Sequence, residues 1–458
     1  MIVLKLLYSL IFPYCMGYAA LRALLGQPYK LNSLFVAPLS FGLGLGLLSN
    51  GMLALNMLGI QYTLVNISLM QGVILALLLL IIFVRNKEKE TVTDLLKFSP
   101  EKKMLDEGLF IKFLHIAFWA IAFYYLNFIF WRAMNIPVHE WDSLASSIYN
   151  AKVFYFDGNL AKLKWLPYSV YPLQLPLLCV WTSLCLGHWD EQYVKILFPL
   201  IFIAFTVIYY GFLRYWTGRA WAVLGTLFLF SSNLFVFHAT LSYRDLFLSY
   251  YTCAAIMFLV LWVEKRQWVF LILVALLAGF GTFVKLEGVL YMVILSGLVF
   301  YLILRDQNED LPAKVKTMLC FAIPCWSIFF LYYCFKDFNG ISTVNYINPG
   351  LSGVFSRFNH SFFSFADALF FTANWNIFWG WLLFSIAFNL QTVRANRNIQ
   401  LWLVILFLYV GFHFGLSFLL GISGHMLSPF TISRLFLHFF PLVPLLVVLI
   451  NAKVFKPE

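Results

Sequence analysis

Charge is what this chain has least of. Only 11% of its 458 residues are Asp, Glu, Lys or Arg, against about a quarter in a soluble domain. No polar stretch is long enough to form a soluble domain; the longest, about 85–110, 132–170 and 337–374, read as loops. Cys15, Cys179, Cys185, Cys253, Cys320, Cys325 and Cys334 lie in or beside apolar runs, are odd in number and form no CxxC pair. That excludes a disulfide framework and a cysteine zinc site. His115, His238, His360, His413, His425 and His438 are scattered without HExxH or similar spacing. GxGxxG, Walker A and GxSxG motifs are absent, as are tandem repeats and low-complexity segments. A cytoplasmic nucleotide site is therefore unsupported.

What the chain has in excess is apolar sequence, 62% of it, with aromatics at 20%. Apolar runs of about 18 or more residues recur along the whole length, which is the pattern of an all-α polytopic membrane protein. Thirteen spans are expected, near 6–25, 32–56, 62–84, 112–131, 193–213, 219–240, 246–263, 267–284, 288–304, 317–335, 375–390, 400–420 and 433–451. The first run is read as a retained helix, because no small-x-small cleavage site follows it. A three-helix segment with a cytoplasmic loop, 1–110, precedes a larger membrane region, 111–458, with outer loops at 132–192 and 337–374.

The net charge of +11 is read as loop asymmetry. "RNKEKETVTDLLKFSPEKK", "LRYWTGR", "EKR", "RDQNEDLPAKVK", "VRANRN" and "KVFKPE" fall on alternate loops, so they are placed in the cytoplasm. The N-terminus is then outside and the C-terminus inside. "VYPLQLPLLCVWTSLCLG", 170–187, is apolar enough to cross, but a crossing there would turn every later basic loop outward. It is read as a juxtamembrane or re-entrant helix.

Under this topology four charged motifs share one membrane depth. "HEWDS" places Glu140 and Asp142 where the fourth span leaves the bilayer. A carboxylate there can take a proton from an incoming hydroxyl, although acids and Trp141 also simply mark helix ends. "SSIYNAKVFYFDG" spaces Tyr149, Lys152, Tyr155 and Asp157 as an interfacial amphipathic helix does. "LSYRDLFL" sets Arg244 beside Asp245 at a span's start, a functional mark or a structural pair. "FVKLEGVL" sets Lys285 and Glu287 beside Gly288; the lysine suits a phosphate, or snorkels. "TISRLFLHFFP" sets Arg434 on the outer side with no acid within a helical turn, so it is the cation most expected to meet an anion.

At these residues the chain resembles the GT-C class of bacterial integral-membrane glycosyltransferases, which includes protein mannosyltransferases and lipid A aminoarabinose transferases. Members carry "W-D-S-W…AK-x-L-Y", "YP-x-L-x-P-L", "Y-A-D-L", "K-N-E-G" and a late Arg before "L-H-x-x-P". Here the same order reads "EWDSLASSIYNAKVFY", "VYPLQLPLL", "SYRDLFL", "VKLEGVL" and "SRLFLHFFP", over about 131–451. Leu286 stands where Asn is common, Ser169-Val170 where an acid often precedes Tyr171-Pro172, and Leu144-Ala145 where a second Trp is expected. Four spans precede the outer loop 132–192, three more than in the best-known members.

The resemblance implies inverting transfer of a sugar from a polyprenyl-phosphate donor to a lipid, glycan or protein hydroxyl, on the outer face of a bacterial inner membrane. Asp142 would be the general base, with Glu140 as its substitute or orienter, and Asp245 would position the acceptor or share the base's hydrogen-bond network. Arg244, Lys285 and Arg434 would hold the donor phosphate, with Glu287, Lys152 and Tyr171 completing the substrate site. No cofactor is indicated, and a divalent metal is neither indicated nor excluded. Nucleic acid is not an expected partner. Two other classes compete. A transporter or flippase of an anionic or lipid-linked substrate explains intramembrane charge and expects inverted repeats and interrupted helices. A lipid-linked polymer polymerase or ligase expects one large late loop, and here the early loop carries the acids.

Overall fold

A computed structural model describes residues 2–26, 29–85, 93–96, 98, 108–341, 354–372, 374–419 and 428–452. His425, most of the 85–110 loop and part of the 337–374 loop lie outside the described residues, as does the basic tail.

The chain is helical almost throughout. The helices are α1 (Ile2–Leu25), α2 (Ser33–Met57), α3 (Leu64–Arg85), α4 (Leu109–Asn135), α5 (Ile148–Asp157), α6 (Gln174–Leu186), α7 (Leu197–Thr217), α8 (Arg219–Phe230), α9 (Asn233–His238) and α10 (Asp245–Lys265). They continue as α11 (Trp268–Val284), α12 (Glu287–Arg305), α13 (Leu311–Phe338), α14 (Val354–Ala366), α15 (Phe378–Phe388), α16 (Leu390–Ala395), α17 (Arg397–Leu419), α18 (Pro429–Leu437) and α19 (Leu442–Asn451). One short parallel pairing, Tyr29–Lys30 with Thr93–Asp94, was not expected from sequence.

Among the described residues nine helices are long and apolar enough to cross a membrane, or ten if α18 and α19 make one broken span with its 63° bend. The protein is an integral membrane protein with an all-α polytopic fold, and the thirteen full-length spans expected from sequence are not found. The reason is local. Hydropathy sums straight across stretches that are not helical: α8 stops before Ser231-Ser232, and turns at 375–377 leave α15 only 11 residues. The last apolar run is broken at residues 438–441, between α18 and α19. Helix α11 has 17 residues. The 170–187 segment forms α6, a buried 13-residue helix too short to cross.

Helix α10 is the centre of the bundle, buried from Asp245 to Trp262. The N-terminal helices are bolted to it. Gly17 and Gly44 let α1 and α2 cross so closely that a Cβ on Gly44 would lie 2.1 Å from the Pro13 carbonyl oxygen. Tyr250 donates to Pro38 O at 2.7 Å and Tyr251 to Gly42 O at 2.8 Å. In lipid such hydroxyls seek a carbonyl because no water competes. Because α10 to α12 run as antiparallel hairpins, the start of α10, the end of α11 and the start of α12 meet at one end of the bundle. At the opposite end lie Lys265, Arg266, Arg305 and Arg397, with Arg266 paired to Asp306 at 3.1 Å.

Candidate functional site

Asp245 opens α10 fully buried, and every neighbour is a donor. Its Oδ1 receives Lys285 Nζ at 3.0 Å and His438 Nε2 at 3.1 Å; its Oδ2 receives Arg434 Nη2 at 3.0 Å. Arg434 Nη2 also donates to Asp142 Oδ2 at 2.7 Å, and Lys285 pairs with Glu287 Oε1 at 3.1 Å. The result is one chain of alternating charge: Asp142, Arg434, Asp245, Lys285, Glu287. Ionised partners in a dry interior require this kind of mutual neutralisation.

Two backbone devices fix these positions. Gly288 lies so close to the end of α11 that a Cβ would sit 2.1 Å from Gly281 O. Only glycine permits the tight α11–α12 corner that carries Lys285 and Glu287. Ser428 caps α18 by accepting from Thr431 N, with Pro429 in the first turn, and the bend after Leu437 aims both Arg434 and His438 at Asp245.

The segment after Asp142 is a π-helical turn, Ser143–Ser147. The hydroxyls of Ser143 and Ser147 both donate to Ser242 O, at 3.0 and 3.1 Å, which ties the turn to the strand of chain just before Arg244. Ser146 donates to Asp142 O at 2.7 Å and accepts from Arg244 Nη1 at 3.0 Å. Such π-turns collect at functional sites.

These elements wall a cavity of about 510 Å³, lined on its polar side by Asp142, Ser146, Tyr171, Arg244, Lys285, Glu287 and Arg434, and on its apolar side by Leu290, Phe365, Leu416 and Leu435. Asp142 is its most accessible acid, 44% exposed against 0% for Asp245. Asp142 Oδ2 is taken by Arg434, while Oδ1 makes no hydrogen bond among the described residues.

The sequence expectation that Arg434 is the cation without an acid is corrected here. Its acids, Asp142 and Asp245, come from 292 and 189 residues away and are invisible to a helical-turn search. The structural Arg244–Asp245 pair, one of the two readings of that motif, does not form. Arg244 turns to Ser146 and stacks over the Tyr171 ring at 5.2 Å, and its Nε and Nη2 have no hydrogen-bond partner. Burial pushes its guanidinium below the ordinary value, yet an arginine stays charged. Among the described residues it is therefore a buried cation that no carboxylate touches. Burial also pushes the Tyr171 phenol up, so it is a neutral hydroxyl at physiological pH.

Two expected site residues are not brought to the cavity. Glu140 is buried beside its own chain, accepting from His139 N at 3.4 Å. Its two-residue offset from Asp142 turns it away from the cavity. Lys152 lies on the exposed face of the expected amphipathic helix, α5, and pairs with Glu191 at 3.1 Å. Tyr171, Glu287, Lys285, Arg244, Arg434, Asp142 and Asp245 all converge.

Sequence reasoning missed Ser146, Tyr243, Tyr291, His413 and His438. Arg434 stacks on Tyr243 at 4.3 Å. His438 stands within the quoted "SRLFLHFFP", but its partners are far away in sequence, and a search for metal spacing passes over it. Among the described residues no group of three or more His, Cys, Asp or Glu is arranged to hold a metal.

No protein-family model, curated protein or solved structure matches this chain.

Proposed function

We propose that the protein is a GT-C-like membrane glycosyltransferase. It moves a sugar from a polyprenyl-phosphate donor to a hydroxyl of a lipid, glycan or protein on the outer face of a bacterial inner membrane. One observation carries the reading: a single cavity holds an accessible carboxylate, Asp142, and a buried guanidinium without a counter-ion, Arg244, against an apolar wall. A phosphate monoanion or diester at Arg244 supplies the missing charge, and a prenyl tail suits the Leu290, Phe365 and Leu435 side. Asp142 Oδ1 accepts the proton of the acceptor hydroxyl as its oxygen attacks the anomeric carbon. The bond to the phosphate oxygen breaks from the opposite face, so the configuration inverts. Positive charge beside the departing phosphate stabilises it. Lys285 and Arg434 hold the acids in place and lend potential to the same spot. The order of the five quoted motifs supports this reading independently of the cavity.

A second reading, a transporter or flippase of an anionic lipid-linked substrate, draws on the 63° break between α18 and α19. Detergent-solubilised protein, a radiolabelled polyprenyl-phosphate sugar and a membrane extract separate the two. A transferase yields labelled product of inverted configuration in detergent, where no two compartments exist. A transporter yields none there, and moves label only across sealed vesicles.

A further inference from the structure

Behind the cavity wall runs a hydrogen-bonded chain that the reading above does not use. His413 lines the cavity, and its Nε2 lies 2.7 Å from the Tyr291 hydroxyl. That hydroxyl lies 2.9 Å from His438 Nδ1, and His438 Nε2 lies 3.1 Å from Asp245 Oδ1. All four residues are buried, and His413 Nδ1 makes no hydrogen bond among the described residues.

The protons along this chain have a fixed direction. Asp245 is a carboxylate that accepts from Lys285 and Arg434, so the nitrogen facing it, His438 Nε2, must donate. A neutral His438 then has a bare Nδ1, which accepts the Tyr291 O–H. The Tyr291 oxygen is thereby free to accept from His413 Nε2–H. His413 is left with a bare Nδ1, an acceptor on the residue that meets the cavity. A buried carboxylate thus sets the tautomer of a histidine two links away.

We propose that His413, Tyr291 and His438 form a proton relay that carries the proton released by the reacting hydroxyl from the cavity to His438, which is held against Asp245. The inference rests on the transferase reading for the source of that proton. A proton passed through cavity water binds His413 Nδ1. His413 then gives its Nε2 proton to the Tyr291 oxygen as Tyr291 gives its own proton to His438 Nδ1. Each proton moves one place. Tyr291 ends as it began, a neutral phenol, and His438 ends as an imidazolium against Asp245. Only N–H and O–H bonds are made and broken, and the reverse sequence returns the proton.

Charge around Asp245 suits this. The contact chain holds three carboxylates, Asp142, Asp245 and Glu287, and two cations, Arg434 and Lys285. His438 faces Asp245 and Tyr291 directly, with His238 Nδ1 4.0 Å from the far Asp245 oxygen. Arg244 is the third cation of the same cavity; once a donor phosphate binds there, one positive charge on His438 balances the added negative charge.

Three measurements test the relay. In the transfer assay Tyr291→Phe, which keeps the ring and removes the middle link, lowers turnover by about 10²-fold with the donor KM unchanged. Tyr409→Phe, whose ring stacks on Tyr291 at 4.8 Å but which is no link, leaves it unchanged. His413→Ala is rescued by added imidazoles, with rates that rise with the basicity of the imidazole. Full turnover in Tyr291→Phe, or rescue that ignores basicity, overturns the relay. A third readout needs no activity: ¹⁵N-histidine NMR of the protein in nanodiscs, assigned with His413→Gln and His438→Gln. Both residues appear as neutral Nε2–H tautomers. An Nδ1–H tautomer at either site contradicts the relay even in a protein that transfers no sugar, while absent transfer with both tautomers as drawn removes the transferase reading and leaves the relay standing.

Discussion

In sequence Arg244 stands beside an acid, and Arg434 has none within a helical turn. The structure separates them by their partners. Arg434 shares two carboxylates; Arg244 has a serine hydroxyl, a tyrosine face and two unpartnered nitrogens. A charge-assisted hydrogen bond to a phosphate is worth about 1.5–3 kcal/mol, so Arg244→Gln is expected to weaken binding of a polyprenyl phosphate about 10- to 150-fold. Arg244→Lys restores only part, because the fork is lost. Titration of the lipid into protein in nanodiscs measures it. Asp245 belongs to a different class, because it is the hub that two cations share. Asp245→Ala leaves Lys285 and Arg434 short of an acid and is expected to cost about 3–5 kcal/mol of stability, read from thermal unfolding in detergent. Which residues carry charge at the site was legible in sequence, because acids and cations at membrane depth are rare. Which of them pair was not, because Arg434 meets acids 292 and 189 positions away.

At the scale of elements, the site depends on corners more than on helices. The α11–α12 corner exists because Gly288 packs backbone to backbone on Gly281, a contact no side chain can relax. Gly288→Ala is expected to destabilise by about 1–3 kcal/mol and to displace Lys285 and Glu287. Gly297→Ala, on the same helix in open space, is the control: its melting temperature stays level or rises, since alanine is the better helix former. The Ser143–Ser147 π-turn does similar work for Asp142, through two hydroxyls on one carbonyl. Sequence reading placed the helices within a few residues, because hydropathy reports burial in lipid. It did not see the breaks at Ser231-Ser232, 375–377 and 438–441, because an apolar run reads the same whether straight or bent. It kept Glu140 in the site beside Asp142, since a two-residue offset decides the facing only once the turn between them is known.

For the whole molecule, the cavity and the basic cluster occupy opposite ends of the bundle. From the loop bias of Lys and Arg we propose that the basic end is cytoplasmic and that the cavity opens outward. A cysteine at Leu144, 47% exposed on the same turn, is expected to react with a membrane-impermeant thiol reagent from the outer side, in a background with the seven native cysteines removed. Labelling only after the cytoplasmic side is exposed would invert the topology and detach the cavity from an outer-face donor. The account as a whole rests on Asp142 acting as the base in a cavity that binds the donor without it. The direct test is turnover and donor affinity of Asp142→Asn in the labelled-sugar assay, beside Glu140→Gln. Asp142→Asn is predicted to lose about 10²- to 10⁴-fold in turnover with donor affinity within about twofold of the parent, and Glu140→Gln to stay active. An active Asp142→Asn beside an inactive Glu140→Gln would contradict it.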